Sequence, residues 1–232
     1  MVFDANDRVT LGRFWAAALE WEYSEDDGVS IAMRGDGALP RLEFVTAPNE
    51  KTSANWTHFD LSSTSLEDQQ ATVDRLIELG ARHVDIGQGP DADHVVLADP
   101  EGNELCVLEP DNSFVDYGSR LGTLSSDGSP ACGYFWGEVL GWPLVWDQDE
   151  ETAIRSDDGG VFFSFGGPPE APKAAKNRLH IDVAPPPDGD QRAEVERLVA
   201  LGATRVDIGQ GDVSWVVLAD PDGNELCVLT PR

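Results

Sequence analysis

The sequence predicts an α+β fold built from two homologous halves. The segment VVLADPEGNELCVL, which starts at Val95, recurs as VVLADPDGNELCVL from Val216. Helical patterns and short strand patterns precede both copies in the same order. Because long segments that repeat at a near-constant spacing indicate duplicated structural units, we expect two copies of one domain.

Three further segment pairs support the duplication. They are GRFW from Gly12 with GYFW from Gly133, NWTHFDL from Asn55 with NRLHIDV from Asn177, and LGARHVDIGQG from Leu79 with LGATRVDIGQG from Leu201. All of them keep nearly the same offset. We therefore predict a first domain over residues 1–112, a linker over 113–119 and a second domain over 120–232.

Each half is predicted to contain two helices. The first spans Leu11 to Ala18 and has its counterpart over Phe135 to Leu140, where apolar residues recur at helical spacing. The second ends at Gly80 in the first half and at Gly202 in the second, because glycine commonly follows the last helical residue.

Short strands complete each half. The predicted strands are Val29 to Met33, Arg41 to Val45, Leu144 to Asp147, Thr152 to Ser156, Val161 to Phe165, and one around each of His58 and His180. The segments 99–102 and 220–223 have proline and glycine where a type I turn favours them, so the repeated segment is expected to form a β-hairpin.

Strand alternation predicts a polar face on each sheet. Glu104 and Cys106 share one side of their strand, and His58 shares a side with Asp60. The opposite sides are apolar and are expected to pack against the helices. A curved sheet of this kind lines a cavity with its polar face.

Composition excludes several classes of function. The 43 acidic and 16 basic residues give a formal charge of -27, which repels phosphate backbones and predicts no nucleic-acid partner. The charge fits solvated loops or the attraction of a cationic small molecule. No apolar run reaches the roughly 20 residues of a membrane span, and the N-terminal segment lacks the features of an export signal. We expect a cytoplasmic protein with three reduced cysteines.

The order of these motifs resembles the glyoxalase-like branch of the vicinal oxygen chelate superfamily, which includes bleomycin-resistance proteins and extradiol dioxygenases. The motifs are a Phe-Trp helix, an N-x-x-H-x-D strand, a Leu-Gly-Ala helix end and an A-D-P-x-G-N-E-L-C hairpin. The resemblance covers almost the whole chain, once per half. It implies tandem domains, each of two βαβββ units forming a partial barrel around a cavity. It also implies either a monomer with an internal pseudo-dimer or a homodimer.

The resemblance implies one divalent metal, Zn, Ni, Mn or Fe. Because the family also has metal-free members, the alternative is a protein without a cofactor. His58 and His180 match the family's histidine that opens the second unit of each domain. Cys106 and Cys227 stand where relatives have an acid on the last strand, and Glu43, grouped with His58, matches the acid that closes the first unit. Neither half contains the complete set of usual ligands.

Other polar and aromatic residues are candidates for the same cavity. Glu104 and Glu225 are candidate general bases, with hydrogen bonds to backbone groups beside the turn as the structural alternative. The candidate substrate-binding residues are Asp60, Asp182, Trp56, Trp146 and Trp215. An aspartate two residues after a histidine on one strand face can also orient the imidazole.

Three functional hypotheses follow. The first is a small-molecule-binding protein with metal-assisted lyase, isomerase or dioxygenase chemistry. The second is a metal-free protein of the bleomycin-resistance type, which sequesters a cationic drug. The third is a scaffold that keeps the fold without a working site.

Overall fold

The computed structural model describes residues 1–26, 28–32, 41–47, 51–89, 92–114, 118–166 and 173–232. The α+β prediction is confirmed, because the chain forms four successive βαβββ units. Met33, at the end of one predicted strand, and residues 115–117 of the predicted linker lie outside the described residues.

The first half of the chain contains units 1 and 2. Unit 1 consists of β1 (Val2–Ala5), α1 (Arg8–Leu19), β2 (Glu22–Ser24), β3 (Val29–Ala32) and β4 (Leu42–Thr46). Unit 2 consists of β5 (Thr57–Leu61), α2 (Leu66–Glu78), β6 (Arg82–His83), β7 (Val95–Ala98) and β8 (Glu104–Val107). The predicted hairpin is formed by β7 and β8, which pair antiparallel.

The second half repeats this order. Unit 3 consists of β9 (Leu121–Asp127), α3 (Ala131–Leu140), β10 (Leu144–Gln148), β11 (Glu151–Ile154) and β12 (Phe162–Gly166). Unit 4 consists of β13 (Leu179–Val183), α4 (Gln191–Leu201), β14 (Thr204–Arg205), β15 (Val216–Ala219) and β16 (Glu225–Val228). Among the described residues, no helix has both the length and the apolar character needed to cross a membrane.

The units form two eight-stranded sheets that each combine both halves of the chain. Sheet 1 joins units 1 and 4 in the order β14-β15-β16-β13-β1-β4-β3-β2. Sheet 2 joins units 2 and 3 in the order β10-β11-β12-β9-β5-β8-β7-β6. The joints are the antiparallel pairs β1–β13 and β5–β9. Each polar face is therefore lined by residues from both halves.

The apolar faces of both sheets contribute to one core. The ring of Trp15 on α1 lies 6.0 Å from that of Phe3 in sheet 1 and 5.2 Å from that of Phe59 in sheet 2, measured between centroids. All three side chains are almost completely buried. Burial of such large aromatic surfaces stabilises the association of the two sheets.

The aspartate of each repeated Asp-Pro-x-Gly-Asn turn is hydrogen-bonded to a tryptophan of this core. The Asp99 carboxylate accepts hydrogen bonds from the backbone N–H groups of Glu101 and Asn103, both at 2.9 Å, and from the Asn103 side chain at 2.8 Å. It also accepts the indole N–H of Trp15 at 3.1 Å. Burial raises the pKa of Asp99 to about 6, although these bonds oppose the shift. In unit 4, Asp220 accepts the indole N–H of Trp136 at 3.2 Å.

The glycine of each Phe-Trp motif lets its helix approach the sheet. A Cβ on Gly133 would lie 2.0 Å from Thr152 Oγ1, and one on Gly12 would lie 2.5 Å from Val29 Cγ1. These distances are too short for a real contact. We therefore expect Gly133→Ala to lower the free energy of unfolding by about 1–3 kcal/mol through overpacking, measured by urea denaturation.

Gly137→Ala is the matched control for that substitution. It lies one turn further along α3, and its added Cβ would be 3.2 Å from the Trp142 carbonyl oxygen. We expect a much smaller effect, because alanine also favours the helix. Equal losses of stability in the two variants would contradict the packing argument.

Candidate functional site

The polar faces of the sheets each carry a cluster of histidine, aspartate and cysteine. In sheet 2, His58 and Asp60 share one face of β5, and the parallel register places Asp60 opposite Cys106 of β8. Each residue offers a ligand atom that lies within 4.8 Å of the others. We call this group the His58 cluster. The equivalent group in sheet 1, the His180 cluster, is formed by His180, Asp182 and Cys227.

The His58 cluster contains a buried carboxylate oxygen without a hydrogen-bond donor. Asp60 is 7% exposed, and its Oδ1 accepts no hydrogen bond from the described residues. The nearest cationic atom is His58 Nε2 at 3.3 Å, which makes an ion pair outside hydrogen-bond geometry. An unsatisfied buried carboxylate oxygen is costly, so it marks a position prepared for a donor or a cation.

Charge and burial shift the pKa values of His58 and Cys106 in this cluster. Burial acts to lower the pKa of His58, but the carboxylate of Asp60 and the contact with Cys106 outweigh it, so the pKa is raised well above its usual value. Burial, followed by the charge of Asp60, raises the pKa of the Cys106 thiol. The carboxylate of Asp60 thus stabilises the protonated form of His58.

The His180 cluster contains a hydrogen bond between its histidine and its aspartate, which the His58 cluster lacks. His180 Nδ1 lies 2.8 Å from Asp182 Oδ1 in a hydrogen bond, whereas His58 uses its other ring nitrogen. Burial and then Asp182 raise the pKa of Cys227 to about 12, and the ammonium of Lys176 opposes the shift. Lys176 itself is paired with Asp4 at 2.7 Å. The duplicated residues thus sit in different electrostatic surroundings.

Glu43 does not join the residue with which the sequence groups it. It lies in β4 of sheet 1, whereas His58 lies in sheet 2. In the register of sheet 1, Val2 has Glu43 on one side and His180 on the other. The Glu43 carboxylate is 3.5 Å from Arg41 Nε. The grouping of Glu43 with His58 is therefore wrong, because pairing of units across the halves places the two residues in different sheets.

The two candidate general bases are engaged by lysine and backbone groups. Glu104 lies 2.6 Å from Lys51 Nζ and accepts the backbone N–H of Asn55 at 3.1 Å. Glu225 is paired with Lys173 and accepts the backbone N–H of Asn177 at 3.1 Å. Each glutamate thus fixes the segment that enters the histidine strand, rather than backbone groups beside the turn.

The three candidate tryptophans lie in different places. Trp146 lies in β10 of sheet 2, in register with Ala153 and, through it, with Ser164. Trp56 is half-buried directly before β5, and Trp215 is 38% exposed directly before β15 of sheet 1. Only Trp146, of these three, therefore lies within a strand of a sheet.

Two features of the site escape sequence reasoning. The sequence assigns Asp60 and Asp182 to substrate, but the structure places them beside the histidine and cysteine of each cluster. The sequence does contain a signal for this placement. A His-x-Asp strand that pairs in parallel with the cysteine-bearing strand brings the aspartate opposite the cysteine. The contacts of the Phe114 ring with the rings of Trp146 and Phe162 have no sequence signal, because the three residues lie far apart in the sequence.

The fold is similar to those of several solved structures. Glyoxalase I from Zea mays matches with a TM-score of 0.62 and 10% identity, over 99% of this chain and 90% of that one. A mutant of the same maize enzyme matches with a TM-score of 0.64 and 11% identity, over 99% and 91%. A proposed dioxygenase from Bacillus subtilis matches with a TM-score of 0.61 and 13% identity, over 100% and 84%. At these identities the likeness shows the fold alone.

The sequence itself matches one family of domains twice. No curated protein matches the chain. The family described as "Glyoxalase-like domain" matches residues 1–108 and again residues 123–229, which together span most of both halves. The chain is therefore a tandem member of the glyoxalase-like domain family.

Proposed function

We propose that the protein binds a small oxygen-containing molecule on the polar face of sheet 2, with a divalent metal held by the His58 cluster. The observation that carries this proposal is the buried Asp60 Oδ1, which accepts no hydrogen bond from the described residues. A divalent cation between this oxygen, the imidazole of His58 and the sulfur of Cys106 would satisfy all three atoms.

The donor set fits a borderline-soft metal. Zinc accepts imidazole nitrogen, thiolate sulfur and carboxylate oxygen, whereas calcium and magnesium favour ligands made entirely of oxygen. The ligand atoms of the cluster already lie within 4.8 Å of one another. Three protein ligands leave a position for an oxygen atom of the bound molecule, which is the arrangement of catalytic zinc sites.

The neighbouring residues of sheet 2 supply hydrogen bonds for such a molecule. Ser125 lies opposite His58, and its hydroxyl is 2.8 Å from that of Ser164 on the next strand. Thr123 lies opposite Asp60 on the same face, but its hydroxyl is already donated to the Phe114 carbonyl at 3.1 Å. A metal held by the cluster would act as a Lewis acid toward an oxygen of the substrate, which suits the proposed lyase, isomerase or dioxygenase chemistry. His58 and Asp60 would hold the metal, and the serines would bind the substrate.

The contrast between the clusters predicts one bound metal per chain. His180 and Asp182 already share a 2.8 Å hydrogen bond, so a cation there would have to displace it. We expect calorimetric titration of metal-free protein with zinc to show one tight site, with elemental analysis after dialysis giving the same stoichiometry. No binding of zinc, nickel, manganese or iron would overturn the metal proposal and favour metal-free sequestration. Two equal sites would contradict the assignment to sheet 2.

A further inference from the structure

Three aromatic rings gather on sheet 2 beside the polar face. The Phe114 ring lies 5.6 Å from that of Trp146 and 5.9 Å from that of Phe162, between centroids, with both pairs close to edge-on. The guanidinium of Arg155 lies over the Phe162 ring at 4.3 Å. We call Phe114, Trp146 and Phe162 the aromatic cluster.

The aromatic cluster contains a buried donor without an acceptor. Trp146 Nε1 is inaccessible to solvent and donates no hydrogen bond within the described part of the chain. Buried indole N–H groups normally have an acceptor, as those of Trp15 and Trp136 do here. An unpaired one therefore marks a place where an acceptor atom of a ligand can bind.

The register connects the aromatic cluster to the His58 cluster. Asp60 lies opposite Thr123 on β9, and Thr123 lies opposite Phe162 on β12. Two strand spacings therefore separate Asp60 from Phe162, roughly 10 Å along the sheet. This separation is short enough for one small molecule to contact both clusters.

The described residues of sheet 1 lack this feature, although that sheet keeps the equivalent His180 cluster. The position that matches Phe162 is Arg41, by the alignment of Phe165 with Phe44. The position that matches Trp146 is Ser24, which pairs with Ser30. The aromatic lining is thus a property of one site and does not follow from the duplication.

We propose that the ligand of sheet 2 is a small aromatic molecule whose ring packs in the aromatic cluster and whose oxygen accepts the Trp146 indole N–H. The inference rests on the proposed function, since it names the class of molecule that this face binds. Edge-to-face packing favours an aromatic ring over a saturated ring of equal size. The unpaired N–H selects molecules with an acceptor oxygen near that ring.

The test uses acetophenone and its saturated analogue, cyclohexyl methyl ketone, on metal-free protein labelled with ¹⁵N-tryptophan. Both probes carry one acceptor oxygen and differ in the ring. The indole signal of Trp146 is identified by its loss in Trp146→Phe. We expect acetophenone to move this signal and to bind about three- to tenfold more tightly than its analogue. Phe114→Leu should reduce that preference, whereas Trp215→Phe, which changes an exposed tryptophan directly before β15, should leave it intact.

Two outcomes would overturn the inference. One is equal affinity for the two ketones, and the other is binding of acetophenone without movement of the Trp146 signal. Zinc titration of the same protein separates this failure from failure of the proposed function. If zinc binds at the His58 cluster and either outcome is observed, the metal proposal stands and only the inference of an aromatic ligand fails. Absence of both zinc and ketone binding removes both proposals.

Discussion

Asp99→Ala is expected to lower the free energy of unfolding by about 3–4 kcal/mol, because it leaves several buried donors without an acceptor. The carboxylate accepts the N–H groups of Glu101 and Asn103, the Asn103 side chain and the indole of Trp15. The residue is completely buried, so water cannot replace these bonds. The same change also loosens α1, since Trp15 anchors that helix between the sheets.

Urea denaturation of Asp99→Ala beside two milder variants would check this expectation. Trp15→Phe keeps an aromatic ring, but it removes one donor and leaves a small cavity in the core, so we expect a loss of about 2 kcal/mol. Asp99→Asn keeps one acceptor oxygen and should fall between the two. The turn would have no anchoring role if Asp99→Ala were no more destabilising than Trp15→Phe.

This structural role explains why much of the fold is predictable from sequence. The Asp-Pro-x-Gly-Asn turn and the Phe-Trp helix recur because each aspartate holds the tryptophan of the preceding unit, Asp99 to Trp15 and Asp220 to Trp136. Short-range patterns of this kind specify hairpins and helices. The family match over both halves confirms the duplication that those patterns predict.

The pairing of units across the halves is not predictable in the same way. Sheets built from units 1 and 2 or from units 1 and 4 would bury the same apolar faces, so strand alternation favours neither. The choice depends on the joints β1–β13 and β5–β9, which are contacts between distant segments. The grouping of Glu43 with His58 fails for this reason, because it assumes that neighbours in sequence are also neighbours in the sheet.

The candidate site also has a part that is predictable from sequence and a part that is not. His58 and Cys106 are identifiable as neighbours because both lie in one half and on adjacent strands. The partners Lys51 and Lys173, which engage Glu104 and Glu225, have no distinctive sequence pattern. Differences between the clusters arise from surroundings such as Lys176 and Trp146, which the duplicated motifs do not contain.

His58→Ala is expected to weaken zinc binding by more than about 100-fold, because even outer-shell partners of metal ligands change affinity by about 10- to 100-fold. The imidazole is one of three donors in the cluster, and its removal leaves only Asp60 and Cys106. Calorimetric titration measures the affinity directly. Thermal denaturation gives a second readout, since a metal that binds only the folded state raises the melting temperature.

The duplication provides the matched control for this variant. His180→Ala removes the same side chain from the same strand position in sheet 1. There the imidazole is hydrogen-bonded to Asp182, whereas His58 contacts Asp60 only as an ion pair. We expect His180→Ala to keep both the zinc affinity and the zinc-induced thermal shift of the unmodified protein. The reverse pattern would place the metal in sheet 1. Retention of full affinity by both variants would show that neither histidine is a ligand, and the unpaired Asp60 oxygen would then have to be satisfied by the bound molecule itself.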